Sequence, residues 1–375
     1  MNARRIGIVC HPGLGGSGTV ATELAAALAE RGHDVHLIAR DRPFRYTGRG
    51  RLHVHAPQIP EHPATGTPPQ LMAEAACLAA LVEEHELEIL HAHFAVPHSM
   101  AIWMARAMSG RAGVRLISTL HGSDVTVFGA HPEFRRAVCF ALGASDAVTT
   151  VSVWLAEEAT RLLGCTTNAR VIPNGTDTER FRPREGLSSR RRFAREGELL
   201  LGHASNMRPV KRVGDVVEVF ARIAAQQPAR LLMVGDGPDR QRAEEDLERR
   251  GLGARAVFLG AQEAVESVLP ALDWFLLPSA GESFGLAALE AMACGVPVAG
   301  YRAGGLPEVV EDGATGCLVG VHDAAALAAA VQSVREEAHT SMRVAARARV
   351  LEHFAMERIA PRWEALYEEV LASRT

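Results

Sequence analysis

Two glutamates eight residues apart, Glu282 and Glu290, carry the strongest chemical signal in the sequence. They stand in the run Leu276-Leu277-Pro278-Ser279-Ala280-Gly281-Glu282-Ser283-Phe284-Gly285-Leu286, which continues as an apolar helix through Met292. An apolar strand should end at Pro278, a short loop carries Glu282, and a helix begins near Phe284 or Gly285. The N–H groups of Phe284, Gly285 and Leu286 then open the helix without intrahelical partners, which suits a phosphate. A carboxylate beside such a site can accept from sugar hydroxyls, and one a turn or two further on can reach ribose hydroxyls. The plainer alternative is that Glu282 opposes the helix dipole and Glu290 is solvated. Glu290, however, lies between Leu289 and Met292, and a carboxylate on an apolar helix needs a partner or a ligand, so function is favoured.

Basic residues supply the complementary charge. Gly202-His203-Ala204-Ser205-Asn206-Met207-Arg208-Pro209-Val210-Lys211-Arg212 follows an apolar strand, and Arg208 and Lys211 at its end can neutralise a diphosphate. Near the N-terminus, Gly13, Gly15 and Gly18 satisfy G-x-G-x-x-G, with Asp41 downstream where a ribose-binding acid would stand. This spacing admits a nicotinamide dehydrogenase, or a tight strand-to-helix turn with no ligand. His91-x-His93 with His98 has the look of a zinc site. With no acidic or cysteine partner evident, polar contacts to a small substrate explain it better.

The elements needed to hold these groups can be read from periodicity. Residues 5–10, 35–39, 88–91, 115–119 and 147–151 read as buried strands, alternating with helices at 19–31, 70–85, 97–109 and 153–163. A second cycle has strands at 198–203, 230–235, 255–259, 273–277, 296–300 and 317–319. Its helices fall near 211–226, 238–250, 263–271, 285–294, 304–312 and 323–334. Alternation of this kind predicts parallel sheets covered on both faces. The segment 41–68 reads as irregular or locally hairpin-like. Residues 171–183 read as a hinge, His131-Pro132-Glu133 as a loop, and 190–195 as a solvated helix face. Phe354, Trp363, Leu366 and Tyr367 recur at helical spacing and predict core packing. In open α/β sheets ligands bind beyond the carboxyl ends of the strands, so the site is expected in a cleft where two such edges face each other.

Bulk composition narrows the class. The chain has 375 residues, long enough for two domains. Apolar residues make up 47% and charged ones 22%, as in a globular protein, and a net charge of −4 offers no field for nucleic acid. Six scattered cysteines without a C-x-x-C pair suit a reducing compartment. The sequence opens directly into a strand with no signal-like stretch, and no apolar run reaches the ~20 residues that span a bilayer. A cytoplasmic protein with no membrane partner is expected, and association into a homo-oligomer is left open.

Glu282-x7-Glu290, the loop Gly304-Gly305-Leu306-Pro307-Glu308 and Asn174-Gly175-x-Asp177 together resemble the retaining family-4 glycosyltransferases of GT-B fold. The resemblance runs over nearly the whole chain. It implies an α/β protein of two Rossmann-like doubly wound domains facing across a cleft. The acceptor domain would be 1–172 joined by a C-terminal helix 356–375, and the UDP-sugar-binding domain 173–355. Segments 10–45, 91–99, 119–126 and 205–213 are similar to one branch of that family. That branch transfers N-acetylglucosamine from UDP-GlcNAc to the hydroxyl of L-malate, the first step of bacillithiol biosynthesis.

By position, the resemblance implies that Glu290 holds the uridine ribose and Glu282 the donor sugar, with Lys211 and Asn206 or Arg208 on the diphosphate. Ser283, Phe284, Gly285 and Leu286 would also contact the donor. Gly15 and Gly16 would approach its phosphates as the cleft closes. His121 would sit by the reacting carbon, which makes His121, Glu282 and Lys211 the catalytic set. Ser17, His93, Phe94, Thr119 and Asn174 would face the acceptor. Asn206 stands where many relatives carry arginine, a feature the branch shares, and Phe94 stands where the family has tyrosine. No cofactor and no metal is implied. The rivals are a sugar-nucleotide epimerase, a non-catalytic sensor, and a transferase using inositol phosphate, which would want extra cations in the first domain.

Overall fold

The computed structural model describes residues 3–373 apart from 12, 14, 47, 49, 60–68, 112, 166–167 and 185–189. The part of the irregular segment at 60–68 therefore lies outside the described residues. The chain divides into two compact units, Met1–Gly175 with Met356–Thr375, and Thr176–Ala355.

The first unit is built on strands β1 (Arg5–Val9), β2 (Asp34–Ile38), β3 (Leu52–His55), β4 (Ile89–His93), β5 (Arg115–Leu120), β6 (Ala147–Thr150) and β7 (Arg170–Val171). They form one parallel sheet in the order β3-β2-β1-β4-β5-β6-β7. Helices α1 (Gly16–Glu30), α2 (Gln70–His85), α3 (Met100–Met108), α4 (Pro132–Gly143) and α5 (Val153–Leu163) connect them. Successive strand side chains point to opposite faces, and both faces here are apolar. Ile6, Ile8, Val35 and Leu37 pack with α1, whereas Val9, Ile38, Leu90 and Leu116 pack with α2 and α3.

The helix Met356–Ala372, last in the chain, belongs to this first unit. Its Ile359, Trp363, Leu366, Tyr367 and Val370 lie on one stripe, buried in the core beneath α1. Arg31 clamps the buried Glu364 through two bonds of 2.7 Å and holds that carboxyl below its usual range, with His33 adding a contact of 3.0 Å. Arg4 grips Glu368 in the same way at 2.7 and 2.6 Å.

The second unit repeats the plan. Strands β8 (Leu199–Ala204), β9 (Ala229–Val234), β10 (Ala256–Phe258), β11 (Trp274–Leu277), β12 (Val298–Tyr301) and β13 (Gly316–Val319) form a parallel sheet in the order β10-β9-β8-β11-β12-β13. Its helices are α6 (Val213–Ala224), α7 (Arg240–Arg249), α8 (Leu286–Ala293), α9 (Leu306–Val309), α10 (Ala324–Ser333) and α11 (Glu336–His353). Arg347 on α11 donates to the carbonyls of Thr178 and Phe181 and to that of Ala293 at the end of α8. One guanidinium thus satisfies a helix C-terminus and anchors the chain entering the unit.

The two doubly wound parallel sheets meet the expectation, and several local readings need correction. The stretch 263–271 is two short 3-10 turns, Val265–Ser267 and Leu269–Ala271, because Pro270 withdraws a backbone donor. The stretch 304–312 keeps only the single turn of α9. Segment 41–68 contains strand β3, paired along β2. His131-Pro132-Glu133 is the start of α4, with proline where its missing N–H costs nothing. Residues 190–195 hold a 3-10 turn, Arg190–Arg192, followed by buried Phe193 and Ala194, and Arg190 pairs with Asp273 at 2.9 Å. Among the described residues, no helix is long and apolar enough to cross a membrane.

Because Trp363 fills the first unit's core from the far end of the sequence, Trp363→Ala should lower stability by about 3–5 kcal/mol. Urea unfolding followed by circular dichroism measures this, and a loss below about 1 kcal/mol would show that the helix contributes little to that core.

Candidate active site

In a doubly wound sheet the crevice opens where the winding reverses, beyond the carboxyl ends of the two central strands. In the second unit those strands are β8 and β11, and the chain leaving them carries Ser205–Lys211 and Pro278–Gly285. His203, at the end of β8, shapes the first of these turns. Its Nδ1–H donates to the carbonyl of Leu276 at 2.9 Å, so Nε2 accepts from the Ser205 hydroxyl at 2.7 Å. The same Ser205 oxygen accepts the Met207 N–H at 3.0 Å, and Met207 turns through φ 40°. Burial pushes the His203 imidazole down to about 4, which keeps this relay neutral at pH 7.

The turn delivers Lys211 to Glu282. Its Nζ lies 2.6 Å from Oε1 of Glu282, and the Ser279 hydroxyl donates to the same oxygen at 2.8 Å. The Ala280 N–H donates to the Val210 carbonyl at 2.9 Å, so the two loops are also joined through their backbones. Behind them Gly305 N–H donates to the carbonyl of Glu282 at 2.7 Å. Neighbouring Gly304 has φ 61°, and a Cβ there would strike that carbonyl. Gly285, at φ 99°, turns the chain into α8, whose first N–H groups lack intrahelical partners. Phe284 is buried against Phe354, half-buried Ser283 and Leu286 flank the helix start, and Glu290 one turn on is only 4% exposed. Arg208 is exposed, whereas Asn206 holds a buried amide oxygen without a protein partner.

In the first unit the central strands are β1 and β4. Gly15 caps α1 in an extended conformation, Gly16 opens the helix on the surface, and Ser17 is half-buried in its first turn. At the carboxyl ends of β4 and β5 three imidazoles cluster. His93 lies 4.3 Å from His91 and 5.1 Å from His121 between ring centres, and its Nδ1 is 2.9 Å from Nε2 of His121. Burial pushes His91 and His121 down to about 3 and His93 well below its usual value, so all three are neutral at pH 7. Such rings can hydrogen-bond a hydroxyl but are weak bases. Nε2 of His93 is buried without a protein partner. Asp124, fully buried, accepts from the N–H groups of His121 and Gly122 and fixes the loop that carries His121. Burial raises its carboxyl to about 6 even against those bonds.

The structure thus brings Lys211 to Glu282 and His93 to His121, and it redirects other expectations. Thr119 is buried, with its hydroxyl held by His91 at 2.6 Å and Thr149 at 2.7 Å, so it braces strands instead of presenting a hydroxyl to an acceptor. His91, His93 and His98 do not converge on a metal. The nitrogens of His91 bond Tyr367 and Thr119, and His98 has an acidic partner after all, Glu74 at 2.8 Å. Phe94, at φ 117°, donates its N–H to the Thr119 carbonyl and packs edge-on against Phe128. A non-glycine residue there carries roughly 1–3 kcal/mol of strain. Asn174 is buried beyond β7. Sequence reasoning missed Asp124, Ser279 and the His203–Ser205 relay. A carboxylate three residues after His121 and a serine three before Glu282 were the available signals.

Residues 14–180 match the family described as Glycosyltransferase Family 4, and residues 187–350 that described as Glycosyl transferases group 1. The chain is 39% identical over 371 residues to N-acetyl-α-D-glucosaminyl L-malate synthase of Bacillus anthracis, covering 98% of this chain and 97% of that one. It is 30% identical to a D-inositol 3-phosphate glycosyltransferase of Acidothermus cellulolyticus, over 84% of this chain and 77% of the other. Among solved structures, sucrose-phosphate synthase of Thermosynechococcus elongatus superposes with a TM-score of 0.83 at 24% identity, over 99% and 100% of the two chains. That likeness concerns the fold.

The buried imidazoles make stability pH-dependent in a defined direction. His91 resists protonation until about pH 3 when folded, whereas the unfolded chain takes the proton near pH 6.5. The unfolded state then binds more protons below pH 6.5, so stability falls as pH drops from 6.5 toward 3. Asp124 works oppositely, favouring the fold as pH falls from about 6, and offsets part of the imidazole term. The chain should therefore be less stable to urea at pH 5 than at pH 7, and His91→Gln should shrink that difference by roughly 1–2 kcal/mol. An unaltered pH dependence in the variant would show that His91 is not the group held neutral.

Proposed function

The chain belongs to the family-4 glycosyltransferases, and from that footing we propose that it transfers N-acetylglucosamine from UDP-GlcNAc to the hydroxyl of L-malate with retention. The near full-length likeness to the malate synthase carries the choice of substrates. The Lys211–Glu282 pair, its carboxylate buried and its ammonium partly so, beside the start of α8 supports the chemistry. The second unit takes the donor. Glu290 holds the ribose hydroxyls, Glu282 those of the sugar, and Lys211 the diphosphate, with Asn206 or Arg208 and the first N–H groups of α8.

In the free protein the ammonium of Lys211 rests on Glu282. A diphosphate competes for it with more negative charge, and Ser279 stays on the carboxylate, leaving Glu282 free to accept from the sugar. As the bond from the anomeric carbon to the diphosphate breaks, charge grows on the leaving oxygen, where Lys211 and the helix start stabilise it without a metal. The malate hydroxyl forms its bond on the same face, and its proton passes to the departing phosphate. In the first unit His121 and His93 are neutral hydrogen-bonding partners for sugar and acceptor. Gly15, Gly16 and Ser17 approach from the start of α1, and Phe94 and Asn174 border the acceptor. An inositol phosphate would want cations where the first unit offers uncharged imidazoles. Six unpaired cysteines support assignment to the cytoplasm.

The test is UDP release from UDP-GlcNAc in EDTA with L-malate, D-malate, inositol 1-phosphate or no acceptor. Release is expected with L-malate alone, yielding a product of the glycoside's mass, and Lys211→Ala should lower kcat by on the order of 10²–10³. Release with inositol phosphate would overturn the acceptor, loss of activity in EDTA the metal-free chemistry, and donor binding without turnover the assignment as an enzyme.

A further inference from the structure

The edge of the first sheet gathers a second set of imidazoles that the transferase chemistry does not use. His36 lies on β2 and His53 and His55 on β3, and the parallel register pairs His36 with His53 and Ile38 with His55. Val35 and Leu37 point into the core beneath α1, so His36 points to the opposite face, toward α2. His85, in the last turn of α2, meets it there. Nδ1 of His36 is 2.9 Å from Nε2 of His55, and the His36 ring centre is 4.2 Å from that of His85. One ligand nitrogen from each of His36, His55 and His85 lies within 4.8 Å of the others.

We propose that His36, His55 and His85 form a binding site for a divalent late first-row cation such as Zn²⁺, which clamps edge strand β3 to α2. A tetrahedral site with metal–nitrogen bonds of about 2.0–2.1 Å sets its ligand atoms about 3.3 Å apart, so small side-chain adjustments close the trio. Imidazole is the ligand such cations prefer. The three rings must be neutral to coordinate, and burial together with His85, His55 and His53 lowers the His36 pKa to about 4. Without a cation, Nδ1 of His36 and Nε2 of His55 share one hydrogen. On binding, that hydrogen moves to the outward nitrogen of its own ring, and no proton need leave. Nε2 of His36 then faces Oδ1 of Asp34 at 3.8 Å. Asp34 is held by Arg51 at 2.7 Å and His53 at 3.1 Å, the kind of carboxylate support that orients a ligating imidazole. The side chain of His85 is one-third exposed, which gives the cation a way in, and Glu84 flanks it at 3.8 Å. The fourth position falls to water.

The experiment uses untagged full-length protein stripped with EDTA, dialysed and titrated with Zn²⁺ against a chromogenic chelator. One equivalent per chain is expected, with a rise in thermal midpoint on saturation. Both His85→Gln and His55→Gln should weaken binding at least tenfold and abolish the thermal shift, while His131→Gln changes neither. The partly exposed His85 keeps the test open should His55→Gln fail to fold. Absence of binding at about 100 µM Zn²⁺, or binding unaltered in His85→Gln, would overturn the site.

Discussion

A carboxylate and an ammonium removed from water are stable only while each has the other, and the geometry around Lys211 and Glu282 is arranged to keep them together. Ser279 fills a further site on the carboxylate, the Ala280–Val210 backbone bond fastens one loop to the other, and Gly305 holds the carbonyl of Glu282 from behind. Apart from the Ser279 bond, which spans three residues, these contacts are not local in sequence. They exist because right-handed crossovers bring β8 and β11 side by side and send both chains out at the same edge. The neutral His203 relay belongs to the same logic, since it sets the turn before Lys211 without adding a charge to a crowded electrostatic site.

The first unit solves a different problem. Its imidazole cluster adds no charge, because burial keeps His91, His93 and His121 unprotonated, while the buried carboxylate of Asp124 is held by backbone N–H groups. In the proposed transfer reaction the two units have different tasks, one balancing full charges and the other offering hydrogen bonds. Such a division suits a reaction in which an anionic leaving group is held by one set of residues and a hydroxyl is oriented by another.

The doubly wound sheets were legible because buried parallel strands are continuous apolar runs and their helices are amphipathic. Glu282, Glu290 and Lys211 stood out because charge in an apolar or strand-end setting demands a reason. What escaped was what long-range pairing alone reveals. Thr119 looked available until the His91 and Thr149 side chains closed on it from neighbouring strands. The helix α11, of low hydropathy along most of its length, has few apolar positions to betray its period, yet Met342, Ala346 and Val350 are buried at i, i+4 spacing. The cluster around His36 was hidden because β3 lay within a stretch that read as irregular, and its members meet only through strand register and the end of α2.

The helix Met356–Ala372 completes the core of a unit whose other residues precede Thr176, and Thr176 itself bonds back to Phe354 where the second unit ends. The second unit is thus an insertion with adjoining ends, and vectorial synthesis acquires an order from it. On the ribosome, residues 176–355 can reach their fold as soon as they emerge, whereas the first unit, though made earlier, must wait with an open apolar face until the closing helix has been translated. The part of the protein made first is the part finished last.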